Sequence, residues 1–239
     1  MGLKTAKRNA DRLTQIGHTM TVLITGANRG IGLALARHEA ARGKAVIATT
    51  RRESVADPSP LRWEMLDVTD PASHRALAAK LAALPLSSLI CNAGVLLDKG
   101  ETLEGGYGAE LWAHSFAVNV TGVFLTIQAL LPNLLAGQGK IAIISSQMGS
   151  TTRAPGGSYM YRASKSAVLN LGRNLAADLK SKGVAVGIYH PGWVKTEMGG
   201  AGADISVEDS AKGLSARIDA LTLETTGCFE CWDGRPHAF

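Results

Sequence analysis

From Met20 onward the chain alternates short apolar runs with longer stretches of helical periodicity. The first run, Thr21–Thr25 (TVLIT), is β-branched and stops at Gly26. Six more follow as strands: Ala45–Thr49 (AVIAT), Leu61–Leu66, Ser88–Cys91, Lys140–Ser145 (KIAIIS), Val184–Tyr189 and Gly227–Cys231. Most are apolar at consecutive positions, the pattern of strands buried on both faces. Between them the spacing predicts helices over Ile31–Arg42, residues 71–84, residues 108–135 with a break near Pro132, Tyr159–Lys182 and, more weakly, Ser206–Leu221. Strand–helix alternation with right-handed crossovers implies an α/β fold. The expected architecture is a single doubly wound domain over residues 20–239, a seven-stranded parallel sheet between two helix layers.

Composition narrows the picture. Of 239 residues, 46% are apolar and 19% charged, which suits a packed domain and not a disordered chain. The net charge of +5 is uneven: Lys4, Lys7, Arg8 and Arg12 against Asp11 put +3 of it within residues 1–19. That segment reads as a flexible basic extension, and the remainder is too nearly neutral to suggest nucleic acid as a partner. No apolar run approaches the roughly 18 to 20 residues that cross a bilayer, and the basic start lacks the apolar core of a signal peptide. Three cysteines cannot all pair, so a reducing compartment, the cytoplasm, is expected. Cys228 and Cys231 form a CxxC, but no second pair has zinc spacing, and no metal site is expected.

The strongest chemical signal joins the first strand to the first helix: Thr25-Gly26-Ala27-Asn28-Arg29-Gly30-Ile31-Gly32. Gly26 permits a tight turn, Gly30 lets backbone approach a pyrophosphate, and Gly32 allows close packing. The helix N-terminus then offers unpaired N–H groups to phosphate. At the end of the second strand, dinucleotide folds that prefer NAD place an acid for the ribose 2′-hydroxyl. Here the stretch is Ala48-Thr49-Thr50-Arg51-Arg52, and Glu53 comes too late. Arg51, with Arg29 in the glycine loop, suits a 2′-phosphate through a planar donor fork, so NADP(H) is the expected cofactor. Either arginine alone also reads as a solvated surface charge.

The GxxxGxG loop, Asn92-Ala93-Gly94 and Tyr161-x-x-x-Lys165, in that order, resemble the short-chain dehydrogenase/reductase superfamily. Its closest likeness in motifs is to the sniffer and C-factor-like carbonyl reductases. The resemblance covers the chain from about Thr21 to the C-terminus and implies a Rossmann domain. It also implies roles: Asp67, with Val68 beside it, contacting the adenine, and Asn92, Ala93 and Gly94 lining the cofactor pocket. Within His190-Pro191-Gly192-Trp193-Val194-Lys195-Thr196, the residues Pro191, Gly192, Val194 and Thr196 would cradle the nicotinamide amide. Ser146 stands where the family's catalytic serine follows the fifth strand, with Ser145 second and Ser150 third. Asn119 matches the helix asparagine of the catalytic tetrad.

Tyr161 and Lys165 lie four residues apart and so face one way from a helix. A neighbouring ammonium and a cationic nicotinamide both favour phenolate, so Tyr161 is expected to have its pKa lowered by Lys165 and by the bound cofactor. Together these features imply hydride transfer between NADP(H) and a small carbonyl or alcohol. A non-catalytic dinucleotide-binding sensor is the alternative. Trp193, Met148 and Met198 are candidates for an apolar substrate wall, or for core. The resemblance further implies a homodimer or homotetramer.

Overall fold

The computed structural model describes residues 20–51, 57–82 and 84–239; the basic extension expected over residues 1–19 lies outside the described residues. The apolar runs become β1 (Thr21–Ile24), β2 (Ala45–Thr50), β3 (Arg62–Met65), β4 (Ser88–Cys91), β5 (Lys140–Ile144), β6 (Ala185–His190) and β7 (Phe229–Cys231). They form one sheet in the order β3-β2-β1-β4-β5-β6-β7, with every pairing parallel. The doubly wound fold expected from the sequence is the one observed.

Why the strands read as continuous apolar runs is plain from their packing. Successive side chains point to opposite faces of a strand, and here each face has its own core. Leu23, Leu89, Ile141 and Ile188 pack with residues of α2 (Pro71–Leu81), α4 (Gly122–Ala136) and α5 (Tyr159–Lys180). Their neighbours Val22, Ile24, Ile90, Ala142 and Tyr189 pack with α1 (Gly30–Ala41) and α6 (Val207–Ala220). At the far end from the glycine loop, Lys44 Nζ ties buried Glu39 of α1 (2.6 Å) to Asp219 of α6 (3.0 Å).

The long helix differs from expectation. The break near Pro132 does not occur: α4 runs through it. Pro132 and Gln128, whose carbonyl loses its partner, are both exposed, so water can satisfy the freed group. The irregularity lies earlier, at a π-turn over Ala117–Thr121 that joins α3 (Ala109–Phe116) to α4. Joined end to end, Ala109–Ala136 is long and apolar enough by composition to cross a bilayer, contrary to the run-length reading. Its inward face is nonetheless core, with Val123, Ile127, Leu130 and Leu134 buried.

Strand order reverses between β1 and β4, since β1 pairs with β2 on one side and β4 on the other. The loops leaving these two strands diverge and open a crevice at the carboxyl edge of the sheet. The core on that face of the sheet is tightly packed around Leu134, which is fully buried. Leu134→Ala should cost about 3 kcal/mol in denaturant unfolding; a loss under about 1 kcal/mol would contradict this packing.

Candidate active site

The crevice is a cavity of about 720 Å³. Gly26, Asn28, Arg29, Gly30, Ile31, Gly32, Arg51, Asp67, Val68, Asn92, Ala93, Gly94, Tyr161, Lys165, Pro191 and Thr196 all line it. Gly192, Val194, Asn119 and Ser146 do not, whereas Ser145 does. Val194 is buried and bridges to Ile205, while Gly192 turns the chain at φ +88°.

Its phosphate end is built by hydrogen bonds between two strand exits. Thr25 Oγ1 accepts from the N–H groups of Asn92 and Ala93, both at 3.0 Å. Asn92 Nδ2 donates back to the carbonyls of Thr25 (3.0 Å) and Gly26 (3.2 Å). This knitting pulls the glycine loop so close that a Cβ on Gly32 would stand 2.4 Å from Asn92 Nδ2 and 2.6 Å from the Gly26 carbonyl. Gly26 itself sits at φ +63°, and a Cβ there would meet Ala93 Cα at 2.9 Å. No side chain caps α1, so its first N–H groups are left for a ligand at the cleft. A glycine cradle below an uncapped helix start fits a pyrophosphate.

At the adenosine end, Arg51 is exposed at the end of β2; Arg52 and Glu53 lie outside the described residues. Asp67 Oδ1 accepts from the Thr69 N–H (2.9 Å) and hydroxyl (2.7 Å). Burial pushes its carboxyl up, but these bonds and the charge of Arg51 hold it below the usual range. The start of α2 is capped by Asp70, which accepts from the N–H groups of Ala72 and Ser73. Arg29 does not stand waiting for phosphate as the sequence suggested: its guanidinium pairs with Glu197 across the cleft mouth. Both side chains are mostly exposed, so this pair is weak and exchangeable.

At the opposite end, α5 presents Tyr161, Ser164 and Lys165. Tyr161 and Lys165 are buried, and the ammonium lies 5.6 Å from the phenol ring centre. Lys165 Nζ donates to the Ile144 carbonyl at 3.0 Å, and burial lowers its pKa to about 8. The expected lowering of Tyr161 by that lysine is not observed. Burial pushes the phenol up to about 12, against a side-chain hydrogen bond with Ser146 that lowers it and the charge of Asp98 that raises it. The ammonium is turned to a backbone carbonyl, and desolvation of a phenolate dominates.

The three serines separate cleanly. Ser146 is the one bonded to Tyr161, and its Oγ also accepts from the Met148 N–H at 3.1 Å. Ser145 donates to the Lys165 carbonyl (3.1 Å), and Ser150 pairs with Thr152 (2.8 Å). Asn119 stands in the π-turn, not in a regular helix. Its amide bonds both backbone groups of Val95 (2.8 and 2.9 Å) and the Ser164 hydroxyl (3.0 Å). Thr25 and Ser164 were not read from the sequence. A lone hydroxyl in an apolar strand end, and one on the inward face beside Lys165, were the available signals.

The remaining candidates sort simply. Met198 lines the cavity, whereas Met148 does not. Half-exposed Trp193 donates Nε1–H to the Gly199 carbonyl at 2.9 Å. Cys91, Cys228 and Cys231 are free thiols, and burial pushes Cys91 up to about 12.

A family model described as short chain dehydrogenase matches residues 20–204. The 1-hydroxy-2-glutathionyl-2-methyl-3-butene dehydrogenase of Rhodococcus sp. (strain AD45) is 36% identical over 225 residues, 90% of this chain and 97% of that protein. Among solved structures, the NADPH-bound carbonyl reductase from chicken fatty liver superposes with a TM-score of 0.84 at 31% identity, covering 92% of this chain and 99% of that one. The carbonyl reductase Sniffer of D. melanogaster superposes with a TM-score of 0.84 at 27% identity, covering 93% and 100%.

The buried lysine carries a stability cost with a defined sign. Its folded pKa, about 8, lies below the ordinary 10.5. The cost is therefore complete below pH 8 and fades as pH rises toward 10.5, where the unfolded chain also loses the proton. Lys165→Met should be more stable than wild type at pH 7 by about 3 kcal/mol in denaturant unfolding, the gap closing between pH 8 and 10.5. A gap that is absent, or that widens with pH, would contradict the burial of this charge.

Proposed function

The chain belongs to the short-chain dehydrogenase family, and from that footing we propose that it is an NADP(H)-dependent carbonyl reductase acting on a small aldehyde or ketone. The observation that carries the reading is Tyr161 with buried Lys165 at one end of a glycine-floored cleft, the phenol bonded to the Ser146 hydroxyl. The NADP(H) preference rests on Arg51 at the end of β2, where no acid lies among the described residues. Likeness to an NADPH-bound carbonyl reductase supports it.

When bound, the nicotinamide supplies or accepts the hydride. The residues of the chain do the rest. Ser146 and Tyr161 hydroxyls bond the carbonyl oxygen and stabilise the negative charge that grows there. Tyr161, with its pKa raised to about 12, arrives protonated and donates its proton to that oxygen. Lys165, with a pKa of about 8, is the ammonium placed to favour the resulting phenolate and restore the proton. Asn119 serves as a frame. Its side-chain amide is committed to Val95 and Ser164, so it holds the loop and helix together beside Lys165.

We place the protein in the cytoplasm as a homodimer or homotetramer, for which exposed Leu111, Phe124 and Leu135 on α3 and α4 offer an apolar face.

NADPH oxidation against a panel of aldehydes and ketones tests this directly. Tyr161→Phe should lower kcat at least about 100-fold while leaving the NADPH Kd, read by fluorescence, nearly unchanged. Undiminished turnover would remove Tyr161 from the chemistry; tight NADPH binding without wild-type turnover would favour a sensor. Arg51→Ala should weaken NADPH about 10-fold and leave NADH binding alone. Equal effects on both nucleotides would contradict a 2′-phosphate contact.

A further inference from the structure

One buried acid beside the site has no role in the chemistry above. Asp98 lies on the segment that leaves β4, three residues beyond Val95, and is 1% exposed. Its Oδ2 accepts a hydrogen bond from the backbone N–H of Tyr161 at 3.2 Å. Its Oδ1 has no hydrogen-bond partner among the described residues. A carboxylate taken out of water with one oxygen unpaired is costly, so its single bond must do something the fold needs.

Helix geometry says what that is. Tyr161 is the third residue of α5, and its N–H is one of the four that a helix cannot satisfy internally. The local residue does not help. Ser158 stands in the left-handed region at φ +45°, its side chain makes no capping bond, and the first turn holds no acid. Asp98 therefore caps α5 from another element, where the helix dipole also favours a negative charge. Because the captured N–H belongs to Tyr161 itself, the bond fixes the backbone from which the phenol projects.

We propose that Asp98 is a positioning residue for carbonyl reduction, a cap in trans that seats Tyr161 against Ser146 for proton donation. The proposal rests on the reading of Tyr161 as the proton donor. A second consequence follows from charge. The groups that act on the phenol are Asp98 from the segment after β4, Ser146 from the exit of β5 and Lys165 from α5 itself. Of these, Asp98 holds the proton on the phenol, adding to the larger effect of burial.

Two variants of the full chain separate position from charge. Asp98→Asn keeps an acceptor for the Tyr161 N–H and removes the charge; Asp98→Ala removes both. Asp98→Asn should reduce carbonyls near neutral pH at close to the wild-type kcat, with the alkaline fall of the reduction rate moved to lower pH. Asp98→Ala should lose about 100-fold in kcat, the scale of a misplaced reacting group, with the KM for NADPH unchanged. Wild-type kcat in Asp98→Ala, or an unmoved pH profile in Asp98→Asn, would overturn the proposal. If Asp98→Ala does not fold, the Asp98→Asn profile decides alone. If wild type reduces no carbonyl, the catalytic reading fails on its own. Asp98 is then judged by ultraviolet titration of the Tyr161 phenol, with Tyr161→Phe as the blank: a lower midpoint in Asp98→Asn supports the assignment and an equal one refutes it.

Discussion

The site depends on one constraint: a lysine and a tyrosine, four residues apart on α5, must both be held out of water without being neutralised by an acid. Lys165 meets this with a single bond to the Ile144 carbonyl, and Tyr161 with the hydroxyl of Ser146. Desolvation then moves the two pKa values toward opposite roles, the ammonium down to about 8 and the phenol up to about 12. A carboxylate paired with Lys165 would stabilise the fold and pin the charge. Among the described residues no carboxylate pairs with it, and the ammonium, bonded to the Ile144 carbonyl, lies 5.6 Å from the phenol ring centre.

Around this pair the rest of the structure acts as a frame. The sheet is apolar on both faces, and its order reverses at β1 and β4, which opens the crevice. Thr25 and Asn92 draw the glycine loop onto the exit of β4. Asn119, from the π-turn, joins Val95 of that same exit to Ser164 of α5. A Cβ on Gly94 would stand 3.3 Å from Asn119 Oδ1 and 3.5 Å from Lys165 Nζ, so this glycine lets the asparagine and lysine lie close. One strand exit thus sets both the phosphate end and the catalytic end of the cleft.

How much of this is legible in the sequence follows from where each signal comes from. Strands buried on two faces announce themselves as unbroken apolar runs, so the sheet and its helix layers were readable. The glycine loop was readable because Gly26 and Gly32 occupy places that no side chain fits. Pro132 misled because a proline on the solvent face of a helix costs only a bond that water can replace, whereas the π-turn at Ala117–Thr121 has no sequence mark. The rise in the Tyr161 pKa is not legible because spacing reveals a neighbouring charge but not the burial that outweighs it. Asp98 and the Arg29–Glu197 pair were invisible for the same kind of reason: both join segments far apart in the chain, and loop acids look alike until folded.

The central claim is that a hydride moves between cofactor and carbonyl carbon at this cleft while Tyr161 protonates the oxygen. The most direct measurement uses NADPH carrying deuterium at the transferable position, followed by mass analysis of the alcohol formed from an aldehyde or ketone. The account predicts deuterium on the carbinol carbon in proportion to the NADPH oxidised. Oxidation of the cofactor with no deuterium in the product would contradict it.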